Sequence, residues 1–189
     1  MPANSPKELI ALAKAKPGEL TYAWSGTSVR LAGALLEMMA GIRLTDVPYK
    51  GTGPGVLDTI AGRVNLVITG MSTAQPHVKT GKLKVLGVCS EKRLASAPEI
   101  PAFGELPGLK GYEGGTWFGI VVPARTPRPI VDKINAAISA IVASPDVKAQ
   151  FATLGYEPYV AKPDAFAQFI ERDRKRTASV VKAANIQPE

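Results

Sequence analysis

The sequence predicts an α/β fold with a mainly parallel sheet, followed by a helical C-terminal part. Short apolar runs alternate with stretches of helical periodicity as far as Val88. Serine, threonine and glycine cluster where the predicted strands pass into the predicted helices. The chain of 189 residues is long enough to bury a sizeable core in one or two domains.

A capped helix is predicted near the N-terminus. Ser5 suits the N-cap, Pro6 the first helical position, and Glu8 completes a capping box, while Pro17-Gly18 ends the helix. Lysines and a glutamate interrupt its apolar residues, so the segment lacks the core of a signal peptide.

Strands and helices then alternate. The apolar and β-branched runs predict strands, and the intervening segments have helical spacing, with strands at 20–24, 44–49, 64–69 and 83–88 and helices at 29–39, 53–61 and 72–80. Parallel strands joined by right-handed crossover helices place their loops at the carboxyl edge of the sheet, where ligands bind.

The second half of the chain has a different pattern. Proline and glycine between Ala97 and Gly115 predict a long irregular connection with one helical turn near 102–105, followed by a strand at 116–122. Three helices follow, opened by Thr126-Pro127, Ser144-Pro145 and Lys162-Pro163. The first of them carries one apolar stripe, made by Ile130, Ile134, Ile138 and Ile141.

The composition narrows the possible classes of protein. No apolar run is long enough to span a bilayer, and the net charge of +7 favours an anionic partner without identifying it. The densest basic cluster, at 172–176, has no interleaved aromatic side chains, which favours a solvated helix face over nucleic-acid binding. One cysteine, Cys89, and one histidine, His77, do not favour a zinc site of nitrogen and sulfur ligands.

Two common chemistries fit the sequence poorly. The glycines after Lys50 lack the Lys-Ser or Lys-Thr that closes a phosphate loop, and they lack the spacing of a dinucleotide fingerprint. Ser72 follows a predicted strand, but the segment Gly70 to Ala74 ends in alanine, and His77 falls on the same predicted helix. Neither nucleotide binding nor hydrolysis is therefore favoured.

A small-anion site fits better. Three turns rich in serine, threonine and glycine lead from predicted strands into predicted helices, at 25–28, 50–53 and 69–72. Amides at helix N-termini hold anions through unsatisfied N–H groups and the helix dipole. Each turn alone is equally compatible with simple helix capping, but three at one sheet edge favour a site for a small carboxylate.

The sequence also resembles a known family, the substrate-binding receptors of tripartite tricarboxylate transporters, often called Bug proteins. The resemblance covers nearly the whole chain. It is carried by the order and spacing of the segments KELIALAKAKPGELTYAWSGTS, DVPYKGTGPGVLDTIAGRVNLVI, GKLKVLGVCSEKR, PEIPAFGEL, GYEGGTWFGIVVPARTP and SVVKAANI.

This resemblance implies a type II periplasmic-binding-protein fold, whose two lobes close on a dicarboxylate or related organic acid. It further implies periplasmic residence, delivery of the ligand to membrane transporter subunits, no catalysis, no metal and no cofactor. A carboxylate-sensing regulatory protein with the same fold is an alternative. An enzyme is a third possibility. It would be supported only if the chain turned over hydrolase substrates and Ser72→Ala abolished that activity.

Receptors of this family are longer than this chain, so the resemblance also implies an incomplete first lobe. Residues 1–117 are expected to form the second lobe nearly whole, and residues 118–189 the C-terminal portion of the first. The isoleucine stripe is then expected to be exposed or to be covered by oligomerisation.

The resemblance assigns binding residues position by position. Expected ligand contacts are Ser25, Gly26, Thr27 and Ser28 in the first turn, with Arg30 nearby, Tyr49, Lys50, Gly51 and Thr52 in the second, and Thr69 in the third. Three positions depart from the family pattern: Arg30 replaces a histidine, Thr69-Gly70 replaces Asp-Asn, and Thr177 replaces a tryptophan. The first two changes suggest an anionic ligand without an amino group. This hypothesis would be contradicted if an amino acid bound more tightly than its deaminated diacid in an isothermal titration.

Overall fold

The computed structural model of the protein describes residues 1–186. The described residues form two compact units, one made of residues 1–116 and 180–186, and the other of residues 117–179. Among the described residues, no helix is both long and apolar enough to cross a membrane.

The first unit is built around a three-stranded parallel sheet in the order β2-β1-β3. Thr21 of β1 pairs with Thr45 of β2, and Tyr22 pairs with Leu66 of β3. Helices alternate with these strands, which confirms the predicted α/β organisation. The elements are α1 (Pro6–Ala15), β1 (Thr21–Trp24), α2 (Thr27–Ala40), β2 (Thr45–Pro48), α3 (Thr52–Ile60), β3 (Leu66–Val67) and α4 (Met71–Lys79).

The predicted cap of α1 is present in a modified form. Ser5 Oγ accepts a hydrogen bond from the Glu8 amide at 3.2 Å, as an N-cap should. The Glu8 carboxylate reaches back to the amide of Asn4 at 2.7 Å, one residue before the position that the usual capping box satisfies. Leu9 on the opposite face is buried in the core.

The core lies between the sheet, α1 and α2. Tyr22 of β1 is 1% exposed and lies against Gly33 of α2, where the absent side chain leaves room for the tyrosine ring. Tyr112 is fully buried, and its hydroxyl donates to the carbonyl of Ala32 at 3.1 Å. Other buried members of this core are Leu9, Ala13, Leu20, Leu35, Leu36, Ile42, Phe103, Leu109 and Val180.

The strand predicted at 83–88 is wrong. Only Val88 forms a bridge, parallel to Ala102, beside the short 3₁₀ helix Phe103–Glu105. The Val88 amide donates to the carbonyl of Pro101 at 2.9 Å, and the Phe103 amide donates to the carbonyl of Val88 at 3.1 Å. The segment is therefore held by this irregular connection and does not extend the sheet.

The second unit contains three helices, α5 (Arg128–Ala143), α6 (Pro145–Leu154) and α7 (Pro163–Ala183), the last of which continues into the first unit. Gly155 ends α6 in the left-handed conformation, at the position the sequence predicted. Trp117 packs edge-on against Phe166 and Phe169 of α7, and its indole donates to Asp173 at 3.0 Å.

The strand predicted at 116–122 is also wrong, because no strand pairs with this segment in the described chain. Its apolar side chains are exposed instead, with Phe118 at 77% and Val121 at 76%. The isoleucine stripe of α5 is partly exposed too, with Ile130 at 49% and Ile141 at 58%. No residue from 117 to 179 is buried, so this unit has no closed core of its own.

Candidate functional site

Three strand-to-helix turns meet at the carboxyl edge of the sheet. Because β1, β2 and β3 are parallel, the turns that follow them, at 25–26, 49–51 and 68–70, lie at the same edge. Each turn leads directly into the N-terminus of a helix. The predicted convergence of the three turns is therefore present in the structure.

These helix N-termini present backbone donors. Gly26 and Gly51 precede α2 and α3 with φ of +84° and +111°, a backbone conformation that residues with a Cβ atom rarely adopt. The N-cap residues of α2, α3 and α4 are the glycines Gly26, Gly51 and Gly70, so no side chain at these positions caps the first amides of the helices. The first amides of a helix have no acceptor within it, so these turns carry donors suited to an anion.

A shallow surface depression lies beside the first two turns. Of the residues predicted to contact ligand, it brings together Ser25, Tyr49, Gly51 and Thr52. The remaining lining residues were not predicted: Ala23, Trp24, Gly55, Val67 and Ile68. Its lining is mostly apolar, and Ser25 and Thr52, the first residue of α3, are among the residues that line it.

The depression is associated with one face of the sheet. Side chains alternate along a strand, so Ala23 and its register partners Val47 and Val67 share a face, and α3 approaches that face at Gly55. Tyr22 and its register partner Asp46 belong to the other face, where α2 packs. Gly55 matters here because a methyl group added to it would lie 3.0 Å from the Cβ of Ala23.

Tyr49 forms part of the depression through its ring, while its hydroxyl is already bonded. The hydroxyl donates to Asp58 Oδ2 at 2.8 Å, and Arg63 Nη1 donates to Asp58 Oδ1 at 2.6 Å. The bond to the carboxylate raises the pKa of Tyr49. The same bond, followed by that from Arg63, lowers the pKa of Asp58.

Arg30 is placed differently from the other predicted residues. Its Nε donates to Asp46 Oδ2 at 2.9 Å, and its guanidinium lies over the Trp24 ring, 5.1 Å from the centroid. The Trp24 indole donates to the same carboxylate oxygen at 3.2 Å. Arg30 therefore lies with the α2 face of the sheet, and its charge is paired.

The remaining predicted residues lie around the turns. Gly26, Thr27, Ser28 and Lys50 are exposed, and none of them lines the depression. Thr69 follows β3 and its Oγ1 is enclosed without a hydrogen-bond partner among the described residues. An enclosed hydroxyl without a hydrogen-bond partner is energetically costly, but Thr69 does not line the depression.

The unpredicted lining residues had a weak signal in the sequence. Ala23 and Trp24 end a strand, and Ile68 follows one, so the rule that ligands bind beyond the carboxyl ends of strands points to them. Gly55 lies inside a helix, and so does Asp58, which bonds to Tyr49 but does not line the depression. The role of both residues depends on where the Tyr49 ring packs. No spacing rule in the sequence gives that packing.

The hydrolase arrangement considered from the sequence is not assembled. Ser72 and His77 both lie on α4, and five residues along a helix correspond to roughly 140° around its axis. Among residues 1–186 no group of three or more His, Cys, Asp or Glu side chains could hold a metal ion.

Comparison with known proteins gives a consistent result. The profile of the family described as "Tripartite tricarboxylate transporter family receptor" matches residues 1–186. A protein from the tcbD-tcbE intergenic region of Pseudomonas sp. strain P51 is 35% identical over 176 residues, covering 92% of this chain and 52% of its own length. Protein BugT of Bordetella pertussis is 33% identical over 176 residues, covering 92% of this chain and 54% of its own length.

Solved structures agree in fold. An R. palustris protein with adipate has a TM-score of 0.82 at 32% identity, and the match covers 100% of this chain and 64% of that one. The periplasmic binding protein BugD has a TM-score of 0.73 at 29% identity, covering 100% of this chain and 64% of its own. MatC of Rhodopseudomonas palustris with bound malate has a TM-score of 0.69 at 28% identity, and the match covers 95% of this chain and 63% of that one. The chain thus spans about half the length of these two curated relatives and under two thirds of these structures.

Proposed function

We propose, from the premise that this chain belongs to the tripartite tricarboxylate transporter receptor family, that it binds a small organic dicarboxylate at the carboxyl edge of its parallel sheet. The observation that carries the proposal is the convergence of three helix N-termini at that edge. Backbone amides and the helix dipole can hold a carboxylate there, and a cationic side chain is not required.

The chemistry of similar proteins supports a diacid. Two similar solved structures are those of proteins with adipate and with malate, which both carry two carboxylates. In this chain, the amides at the starts of α2 and α3 would bind one carboxylate, with the hydroxyls of Ser25 and Thr52 beside them. The apolar residues Ala23 and Val67, which line the depression, suit the methylene chain of such an acid.

We further propose a ligand without an amino group. Thr69 places an uncharged side chain at the third turn, and such a side chain is a poor counterion for an ammonium group. Arg30 does not supply free positive charge to the depression, because Asp46 neutralises it on the α2 face. The preference is therefore expected to depend on Thr69 more than on Arg30.

The wider role follows the family. The chain would act as a non-catalytic receptor in the periplasm that delivers its ligand to membrane transporter subunits. Residues 1–117 would correspond to the second lobe and residues 118–189 to the C-terminal portion of the first. The other part of the first lobe would supply the remaining ligand contacts in longer relatives.

Thermal unfolding of the 189-residue chain tests the binding proposal. A ligand at 100 times its Kd adds about 2.7 kcal/mol to stability, and about 2–4 °C per kcal/mol is expected for a chain of this size. Adipate, malate and succinate are therefore expected to raise the Tm by about 5–10 °C at saturation, whereas hexanoate and aspartate raise it less.

A variant pair makes the test specific to the site. Ser25→Ala is expected to reduce the shift given by the best diacid, because the hydroxyl of a lining residue is lost. Ser179→Ala removes a hydroxyl that bonds only to the Arg176 carbonyl in its own helix, and should leave the shift unchanged. Absence of a shift with every diacid, or an equal effect of the two variants, would contradict the proposal.

A further inference from the structure

The Tyr49 ring is fixed at two points along α3. Its Cγ and Cδ2 atoms would lie 3.5 Å and 3.4 Å from a methyl group built on Gly55, so the ring lies against the bare backbone of the helix. One turn further along, its hydroxyl donates to Asp58 at 2.8 Å. The amide of Tyr49 also donates to the carbonyl of Trp24 at 2.9 Å, which ties the residue to the end of β1.

Asp58 occupies an unfavourable position for an acid. It lies in the last turn of α3, where the helix dipole disfavours negative charge. Two bonds offset this: one from the Tyr49 hydroxyl to Oδ2 and one from Arg63 to Oδ1. The Asp58 carbonyl also accepts the amide of Arg63 at 2.9 Å, so the residue is fixed by the turn that ends the helix.

Tyr49 lines the depression, and its hydroxyl is bonded to Asp58, which does not line it. Without Asp58, the tyrosine hydroxyl would lose the hydrogen-bond partner that fixes its position. Loss of the tether would also let the ring leave the wall it forms between Gly51 and Gly55. Pre-organisation of such a wall lowers the entropy cost of binding.

We infer that Asp58 is a positioning residue for the ligand site: its carboxylate holds the Tyr49 ring against α3 as the wall of the depression. The inference rests on the proposed function for its effect on ligand affinity. Its structural part, the tether between Asp58 and Tyr49, is tested without any ligand.

The ligand-free test is a spectrophotometric titration of tyrosinate. The difference between the wild type and Tyr49→Phe isolates Tyr49 from the other four tyrosines. The bond to Asp58 holds the pKa of Tyr49 above its ordinary value, so Asp58→Ala is expected to lower it towards about 10. Asp132→Ala removes the same charge from an exposed ion pair of α5 and serves as the control.

The binding test is a double-mutant cycle with adipate as the probe, measured by isothermal titration. Asp58→Ala and Tyr49→Phe remove the same bond from its two ends, so each is expected to weaken adipate binding by about tenfold. The double variant is expected to be no weaker than either single variant. Asp58→Asn keeps an acceptor for the tyrosine hydroxyl and should recover part of the affinity.

The outcomes separate the two proposals. If the wild type does not bind adipate or another diacid, the proposed function fails, while the titration still decides whether Asp58 holds Tyr49. A Tyr49 titration that Asp58→Ala leaves unchanged overturns the inference. Additive losses in the cycle also overturn it, because they show that Asp58 acts on binding by a route other than Tyr49.

Discussion

Replacing Gly33 by alanine tests how closely α2 must approach the sheet. A methyl group at this position would lie 2.5–2.7 Å from three atoms of the Tyr22 side chain: Cζ, Oη and Cε2. Favourable carbon contacts begin at about 3.5 Å. Tyr22 is 1% exposed, and its hydroxyl donates to the Arg30 carbonyl at 3.4 Å, so the ring cannot turn away without losing that bond.

The expected cost combines three contributions. Overpacking of a filled core costs about 1–3 kcal/mol, and the weakened tyrosine hydrogen bond adds about 1 kcal/mol. Alanine in place of glycine inside a helix recovers about 1 kcal/mol. We therefore expect Gly33→Ala to lower the free energy of unfolding by about 1–3 kcal/mol.

Urea unfolding followed by circular dichroism at 222 nm measures this change. With a slope of about 1–3 kcal/mol per molar urea, the midpoint should fall by about 1 M. Gly53→Ala is the matched control, because it lies in α3 with nothing within 4 Å of an added methyl group. Equal midpoints for the two variants would refute the idea that the Gly33 contact sets the position of α2.

Three other predictions concern parts of the molecule outside that contact. Asp46→Ala removes the acceptor of the Trp24 indole, so acrylamide should quench Trp24 more strongly, measured in a Trp117→Phe background to isolate its emission. Burial raises the pKa of the Cys89 thiol, so iodoacetamide should react slowly with the native chain near pH 7.5 and faster in urea. Because the thiol stays neutral more readily in the folded chain, its contribution to the free energy of unfolding is present below about pH 8.5, the pKa of a free thiol, and is lost as pH rises through the raised pKa of the folded chain. Ile120→Lys should lower the fluorescence of bound anilinonaphthalene sulfonate, because this side chain is 66% exposed within an apolar segment; an unchanged signal would place the dye elsewhere.

The elements that the sequence predicted correctly are those with local causes. The cap of α1 needs only Ser5 and the residues just after it, and the end of α6 needs only a glycine at Gly155 with φ of +73°. The strand at 20–24 and its neighbours alternate with helices at intervals set by crossover geometry. Such features are specified within a few residues, so a single sequence is enough to predict them.

The failed strand predictions have a non-local cause. The runs at 83–88 and 116–122 have the apolar character of strands, but a strand also requires a partner that supplies hydrogen bonds. Val88 takes its bonds from Pro101 and Phe103, and residues 116–122 have no partner strand in the described chain. Hydrophobic pattern shows what a segment would bury and does not show which segment is available to pair with it.

The same limit explains the candidate site. The three turns were predictable, because parallel strands must end at one edge, and glycine at positive φ precedes both α2 and α3. Which face of the sheet a residue near a turn lies on was harder to predict, because it depends on how the following helix packs against the sheet. Arg30, four residues after Gly26, was predicted to contact the ligand, yet the structure pairs it with Asp46 on the α2 face. Tyr49 was predicted as a contact, but the sequence did not show that its ring packs on Gly55 or that its hydroxyl bonds to Asp58.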